Sequence, residues 1–300
     1  VISKHVLLLE MEQNLLNSSR YKISSLSIDS RFADRYTDPA NPTADFTIRL
    51  PSTMRNIMRI RLSSVELPLV EPVFSRSKQN VQFVVDVSGA TRTVAISSGD
   101  YTVEGFRAAI QNALLTVDSG FSCSISPSGV MTIANSRGPF VLHLESDPLG
   151  KSSFWGIGYY MGFRVKDVSG SPVTPATGSS VVWVQPTPYY LLQLKCPALL
   201  ENITHRIAKN ASIPAFAKLI LRNGPLGLQF DDNANLLRKE FTFLAPTDIF
   251  ALNVRIVDPF GEMINMGNMH WSMTFELTEV VNSNVAGVLH RTFSRGTGPP

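Results

Sequence analysis

The residues best suited to metal or nucleophilic chemistry in this 300-residue chain are five histidines (His5, His143, His205, His270 and His290) and two cysteines (Cys123 and Cys196). No two histidines stand at the spacing of a helix-borne or hairpin-borne site, and a metal needs several donors converging on one point. Each histidine is therefore read as structural. The cysteines lie far apart in strand-like segments, which fits reduced, buried thiols better than a disulfide framework or a metal site. No G-x-S-x-G places a serine on a nucleophile elbow. Gly156, Gly158 and Gly162 lack the strand-to-helix setting of a phosphate or dinucleotide loop. Asp231-Asp232 follows a strand without the EF-hand pattern and reads as a solvated turn. The expectation is a chain with no catalytic, cofactor-binding or metal-binding residues.

Contact chemistry is better represented. Arg31, Phe32, Arg35 and Tyr36 form a charged and aromatic stretch before the turn residues Asp38-Pro39 and Asn41-Pro42. With Arg49, Arg59 and Arg61 the arginines make a local basic cluster, read either as solvated strand faces or as a surface for an acidic protein neighbour. Asp147 to Phe163 has four glycines among five aromatics. That glycine density opposes a regular strand, yet the rings need a shield or a partner. The candidate partner contacts are accordingly Arg31, Phe32, Arg35, Tyr36, Trp155, Tyr159 and Tyr160.

These residues must be carried by strands. Phe46, Ile48 and Leu50 alternate with polar residues, and so do Met58, Ile60 and Leu62, so two strands separated by a short turn are expected. After Ser63-Ser64 the apolar set continues as Val65 and Leu67. The phase has slipped by one residue, as a β-bulge requires. Pro68 should end the strand. In the last third, Phe250 to Ile256 and Trp271 to Leu277 each show one wet and one buried face, the mark of an antiparallel sandwich. Between the two ends, Val81 to Val87 and Arg92 to Ile96 read as a hairpin turning at Ser88-Gly89. One helix follows, with Asp100 and Thr102 as candidate caps and Phe106, Ile110, Ala113, Leu114 and Val117 on one face.

The expected fold is mainly β: an antiparallel jelly-roll-like sandwich with a small α+β insertion containing one clear helix, plus extended terminal arms. The divisions are an N-terminal arm (1–40), a first part of the sandwich (41–77), the insertion with its glycine-aromatic segment (78–168), a loop or linker (169–187), a second part of the sandwich (188–281) and a C-terminal tail (282–300). The strands at 45–68 should pair with those after 188. A hydrophobic content of 44% with 17% charged residues is enough for a sizeable core. The net charge of +3 is dispersed, which leaves no footprint for nucleic acid. No apolar run reaches the roughly 20 residues of a membrane span.

The same residues resemble a known group. D-S-R-F-x-D-x-Y (Asp29 to Tyr36), D-F-T-I-x-L-P (Asp45 to Pro51) and N-I-M-R-I-R-L-S-S-V-E-L-P (Asn56 to Pro68) are similar to segments of minor capsid and other virion proteins of nucleocytoplasmic large DNA viruses, the giant algal and amoebal viruses. In the same order follow I-S-S-G-D-Y-T (Ile96 to Thr102), G-Y-Y-M-G-F (Gly158 to Phe163), Y-Y-L-L-Q-L (Tyr189 to Leu194) and V-R-I-V-D-P-F-G (Val254 to Gly261). The resemblance spans about residues 28 to 280, and departs from the group in an extra W-G-I-G-Y-Y and a long loop from Val168 to Ser180. It implies a non-enzymatic virion component without cofactors. Its partners would be the major capsid protein, other minor capsid proteins and a second copy of itself, with no nucleic acid and no transmembrane segment, and with contact to an inner viral membrane left open. A vertex or surface protein that binds host glycans through Trp155, Tyr159 and Tyr160 is the alternative.

Overall fold

The chain from Asp45 to Leu69, where alternating apolar and polar residues predict two strands, is one strand of 25 residues. A computed structural model describes residues 21–37, 42–145, 156–196, 204–208, 211–221, 227–231 and 239–281. In chain order its first strands are Tyr21–Asp29 (β1), Arg35–Tyr36 (β2), Asp45–Leu69 (β3), Gln82–Val87 (β4), Ala90–Ala95 (β5), Phe121–Ile125 (β6), Val130–Asn135 (β7) and Phe140–His143 (β8). Then come Asp167–Gly170 (β9), Ala176–Val181 (β10), Tyr189–Lys195 (β11), Thr204–Ala208 (β12), Ala211–Ala215 (β13), Ala217–Ile220 (β14), Gly227–Asp231 (β15), Glu240–Val257 (β16) and Ser272–Val280 (β17). The helices are Val103–Leu115 (α1) and Ile157–Tyr160 (α2). The fold is mainly β, jelly-roll-like, with a small helical insertion.

Two units divide the chain: Val1–Val70 with Thr187–Pro300, and Glu71–Pro186 between them in sequence. In the first, an antiparallel sheet runs β1-β17-β3-β16-β11-β14, with β2 and β15 also on β3. One flank of β3 is taken by β17 and β2, the other by β16 and β15. The expected pairing of 45–68 with strands after residue 188 is thus what forms. Ile28, Phe46, Leu62, Leu192, Phe216, Leu252 and Phe275, from strands spread across this sheet and from the residue before β14, meet in a single core cluster. A flat sheet could not bring them together, so the sheet curls around them.

Bulges supply the curl. Thr274 pairs with Ser64 while Phe275 pairs with Leu62, so Ser63 is the extra residue and the expected slip is present. A second shift places Thr278 opposite Arg59 and Glu279 opposite Ile57. Hence Ile57 is fully buried, whereas Met58, expected to point inward, is only half-buried. The expected break between two strands is a third irregular region. Residues 49–57 shift register against β16 and include Asn56 at φ 54°, but β16 stays alongside and the strand bends instead of turning back.

The segment 21–28, expected as part of the N-terminal arm, lies on β17 as an edge strand in unbroken register from Tyr21↔Val280 to Asp29↔Ser272. Only Ile28 of its side chains is buried. The terminal segments 1–20 and 282–300, expected as arm and tail, lie outside the described residues.

The Glu71–Pro186 unit has a sheet ordered β5-β4-β8-β9 and another ordered β10-β7-β6. The hairpin between β4 and β5 turns at Ser88 (φ 51°) and Gly89 (φ 78°), two successive positive φ values that match the right-handed twist of its strands. Thr102 caps α1 by accepting from the Gly105 N–H at 3.0 Å. Asp100, the other cap candidate, accepts instead from the Val73 N–H at 2.8 Å. Phe106, Ile110 and Leu114 are the buried face of α1, and Phe106 stacks on Phe74 with centroids 4.6 Å apart. β10 and the second half of β9 fall in the stretch expected as loop. Edge strands need backbone pairing more than apolar side chains, and Ala176 is the one fully buried side chain of β10.

Candidate functional site

At the Asp29 end of the first sheet, three directly opposed residues form a row: Asp29 on β1, Ser272 on β17 and Glu66 on β3. They line an open cleft of about 400 Å³, with Arg31, Asn268, Met269, His270 and Trp271. The local chain explains its shape. Asp29 caps a short 3-10 turn at Ser30–Phe32: its carboxylate accepts from the Arg31 N–H at 2.8 Å and from the Arg31 Nε at 2.9 Å. Across the cleft, Gly267 and Asn268 both hold positive φ, which lets the chain double back into β17. A Cβ on Gly267 would also press against Val70 at 3.1 Å.

Ser30 ties the two walls together. Its N–H donates to the Trp271 carbonyl (2.9 Å), its Oγ accepts from the Trp271 N–H (3.0 Å), and the same Oγ lies 3.1 Å from His270 Nδ1. The Tyr36 hydroxyl donates to the Ser30 carbonyl at 2.9 Å. Trp271 is itself fixed, its Nε1–H donating to the Thr43 carbonyl at 2.7 Å and its ring standing edge-on to Phe46.

Serine, histidine and aspartate in one cleft invite a hydrolytic reading, which the geometry opposes. Ser30 is fully buried, and its hydroxyl is engaged by Trp271 and His270, so no substrate carbonyl can reach it. Asp29 is bound by Arg31 rather than by the imidazole. The hydrogen bonds from Arg31 hold the Asp29 pKa below its ordinary value, partial burial opposing them. Glu66 accepts from the Ser272 hydroxyl. Among the described residues no group of three or more His, Cys, Asp or Glu side chains is arranged to hold a metal ion. Cys123 and Cys196 are buried and form no disulfide, and burial pushes the Cys123 thiol up to about 12, which keeps it protonated and unreactive.

The cleft instead offers a mixed contact surface. Phe32 is 73% exposed and Met269 52%, large apolar side chains beside a solvent-facing guanidinium. Arg31 also sits 5.9 Å above the Phe32 ring. Of the candidate contacts, Arg31 therefore lines the cleft, Phe32 stands beside it and Tyr36 braces it from behind. Arg35 is exposed on β2, outside the lining. Arg59 of the basic cluster faces β17, donating to Thr278 Oγ1 at 3.3 Å and lying 3.9 Å from Glu276.

The glycine-aromatic candidates belong to the other unit. Tyr160 is 9% exposed and packs on Phe74 at 4.8 Å, so its ring is core. Tyr159 is covered by Arg164, whose guanidinium lies 4.2 Å from the ring centroid. Trp155 lies outside the described residues. His270, Met269, Asn268 and Glu66 were not among the sequence candidates. The signal available was the Gly267-Asn268 pair just before the cleanest strand.

No protein-family model matches the chain, and no curated protein matches it. Among solved structures, the chain is similar to the mavirus penton protein, with 11% identity and a TM-score of 0.47 over 86% of this chain and 99% of that one. It is also similar to the D1-D2-D3 domains of the flagellar cap protein FliD from Escherichia coli, with 10% identity and a TM-score of 0.16 over 96% of this chain and 64% of that one. Neither likeness assigns a family.

Proposed function

We propose that this chain is a non-enzymatic minor capsid protein that links or cements capsomers of the major capsid protein and neighbouring minor capsid proteins in a large icosahedral DNA virus particle. The observation that carries the reading is the placement of the D-S-R-F-x-D-x-Y motif. The first of the segments through which the chain resembles virion proteins is the one that places Arg31 in the lining of an open cleft and Phe32 exposed beside it. An exposed aromatic with an arginine is the usual makeup of a contact hot spot. The jelly-roll-like sandwich and the locked Ser30 hydroxyl also support a structural rather than catalytic role. The protein would reside in the virion and take no cofactor.

The glycan-binding alternative draws on Trp155, Tyr159 and Tyr160; Trp155 lies outside the described residues, and the two tyrosine rings are engaged within their own unit.

The test is mass spectrometry of purified particles from infected cells, combined with a tagged copy carrying Arg31→Ala and Phe32→Ala. The chain should be present in particles, and the double variant should be incorporated at least about tenfold less than wild type, as loss of two hot-spot contacts implies. Particles that contain none of the chain would end the reading.

A further inference from the structure

The outward face of the β5-β4-β8-β9 sheet carries a histidine between two carboxylates. His143 on β8 has Asp167 of β9 directly opposite, while on its other side it pairs with Val84 of β4, one step along the same face from Asp86. His143 Nδ1 is 2.7 Å from Asp167 Oδ1, and Nε2 is 2.9 Å from Asp86 Oδ2. A carboxylate can only accept, and a neutral imidazole has a single N–H to give. Both bonds coexist only when the ring carries both protons.

We propose that His143 is a pH-operated clip that pins the edge strand β9 to β8 and β4, closed as the imidazolium and half-open as the neutral ring. Loss of one proton leaves a ring lone pair facing a carboxylate, so one of the two bonds becomes a repulsion. β4 is held by a strand on either side, whereas β9 stands at the end of its sheet and pairs with β8 over the four residues from Asp167 to Gly170. β9 is therefore the element that yields.

The charged groups acting on the ring are Asp86 from β4 and Asp167 from β9. Glu145 follows two residues further on the histidine's own chain, and on β5 the residue opposite Asp86 is the uncharged Thr91. Hydrogen bonds to Asp86 and then Asp167 raise the His143 pKa above its ordinary 6.5, against a smaller effect of burial. A raised folded value means that the stabilisation is complete below the ordinary pKa and is lost as pH rises through the folded one. The clip therefore holds below the ordinary histidine value, as long as the two carboxylates are ionised, and releases as pH rises through the raised folded one. It does not depend on the capsid reading.

Amide hydrogen exchange on the full chain, corrected for the intrinsic pH dependence of exchange, tests it alongside NMR titration of the His143 ring. Protection of the β8–β9 amides should fall about two- to tenfold, the net worth of one hydrogen bond, as the ring titrates. The β4–β5 amides should not respond. His143→Gln should abolish the step, and Asp167→Asn, at a half-exposed position, should move the ring titration to lower pH. The proposal is overturned if the step is absent in the wild type or persists in His143→Gln. It is equally overturned if the ring titrates at or below its ordinary value, or if Asp167→Asn leaves the titration where it was.

Discussion

In the Glu71–Pro186 unit, β4 and β5 are joined by the two-residue turn at Ser88-Gly89, and α1, β6 and β7 follow one another directly in the chain. In the sheet built on β3, the contact that closes the cleft joins Ser30 to Trp271, separated by 241 positions. One unit is assembled from neighbours in sequence, the other from the two distant parts of the chain. Local pairing costs little loop-closure entropy, so the Glu71–Pro186 unit should form first, and the β3 sheet should wait for β16 and β17. The histidines repeat the contrast. His143 is gripped by carboxylates on adjacent strands, whereas His270 meets Ser30 across 240 positions of chain.

The strongest way to break this comparison is to empty each core in turn. Phe106 and Phe275 are both fully buried, and Phe106→Ala and Phe275→Ala should each cost about 3–5 kcal/mol. Amide exchange should show Phe106→Ala loosening only the Glu71–Pro186 unit and Phe275→Ala only the β3 sheet. If either substitution loosened both, the units would not be separate cores. Next in size is Ser30→Ala, which strands the buried Trp271 N–H. Urea unfolding should show a loss of about 1–3 kcal/mol, seen in the Trp271 environment before any change in α1.

Thr102→Ala removes the cap of α1 and should cost about 1 kcal/mol, confined by exchange to the Glu71–Pro186 unit. The smallest effect sharpens the picture at low pH. Asp29 has a depressed folded pKa, so its contribution is complete above the ordinary carboxylate value and is lost as pH falls through the folded one. Arg31→Ala should let the Asp29 carboxyl titrate nearer its ordinary value, measurable by side-chain carboxyl NMR, and should shift the acid unfolding of the β3 sheet slightly upward in pH. No change in Asp29 titration would mean that the guanidinium is not what holds it down.

How much of this could be read beforehand depended on side-chain period. The slip at Ser63-Ser64 was visible because Leu62 and Val65, both inward, sit three residues apart in a pattern that otherwise repeats every two. The same three-residue spacing joins Ile57 to Ile60, but Met58 is apolar too and hid the second shift. The α1 face was legible for the same reason. β9 and β10 were not, because a strand held at the margin of a sheet by its backbone leaves little mark in Ser, Gly and Thr side chains. For the cleft, alternation told that Glu66 and Ser272 face outward, but not that they are neighbours. Facing comes from period, whereas partnership comes from register across more than two hundred residues. Arg31 and Phe32 were legible as contacts through composition. His270 was not, since its meaning lies in a serine at the far end of the chain.

A final consequence concerns load. β3 has 25 residues and, at about 3.3 Å each, a contour of about 80 Å. Antiparallel neighbours pair one edge along most of that length, β16 and then β15, and the other edge at 57–66 through β17 and at 46–47 through β2, and their hydrogen bonds lie across its axis. Tension applied between Asp45 and Leu69 would act on those bonds in shear, many at once, rather than opening them one at a time like a zipper. The strand is in effect a tendon bonded along its length. Pulled lengthwise in a single-molecule experiment, it should outlast the β4–β5 hairpin, which opens from its ends.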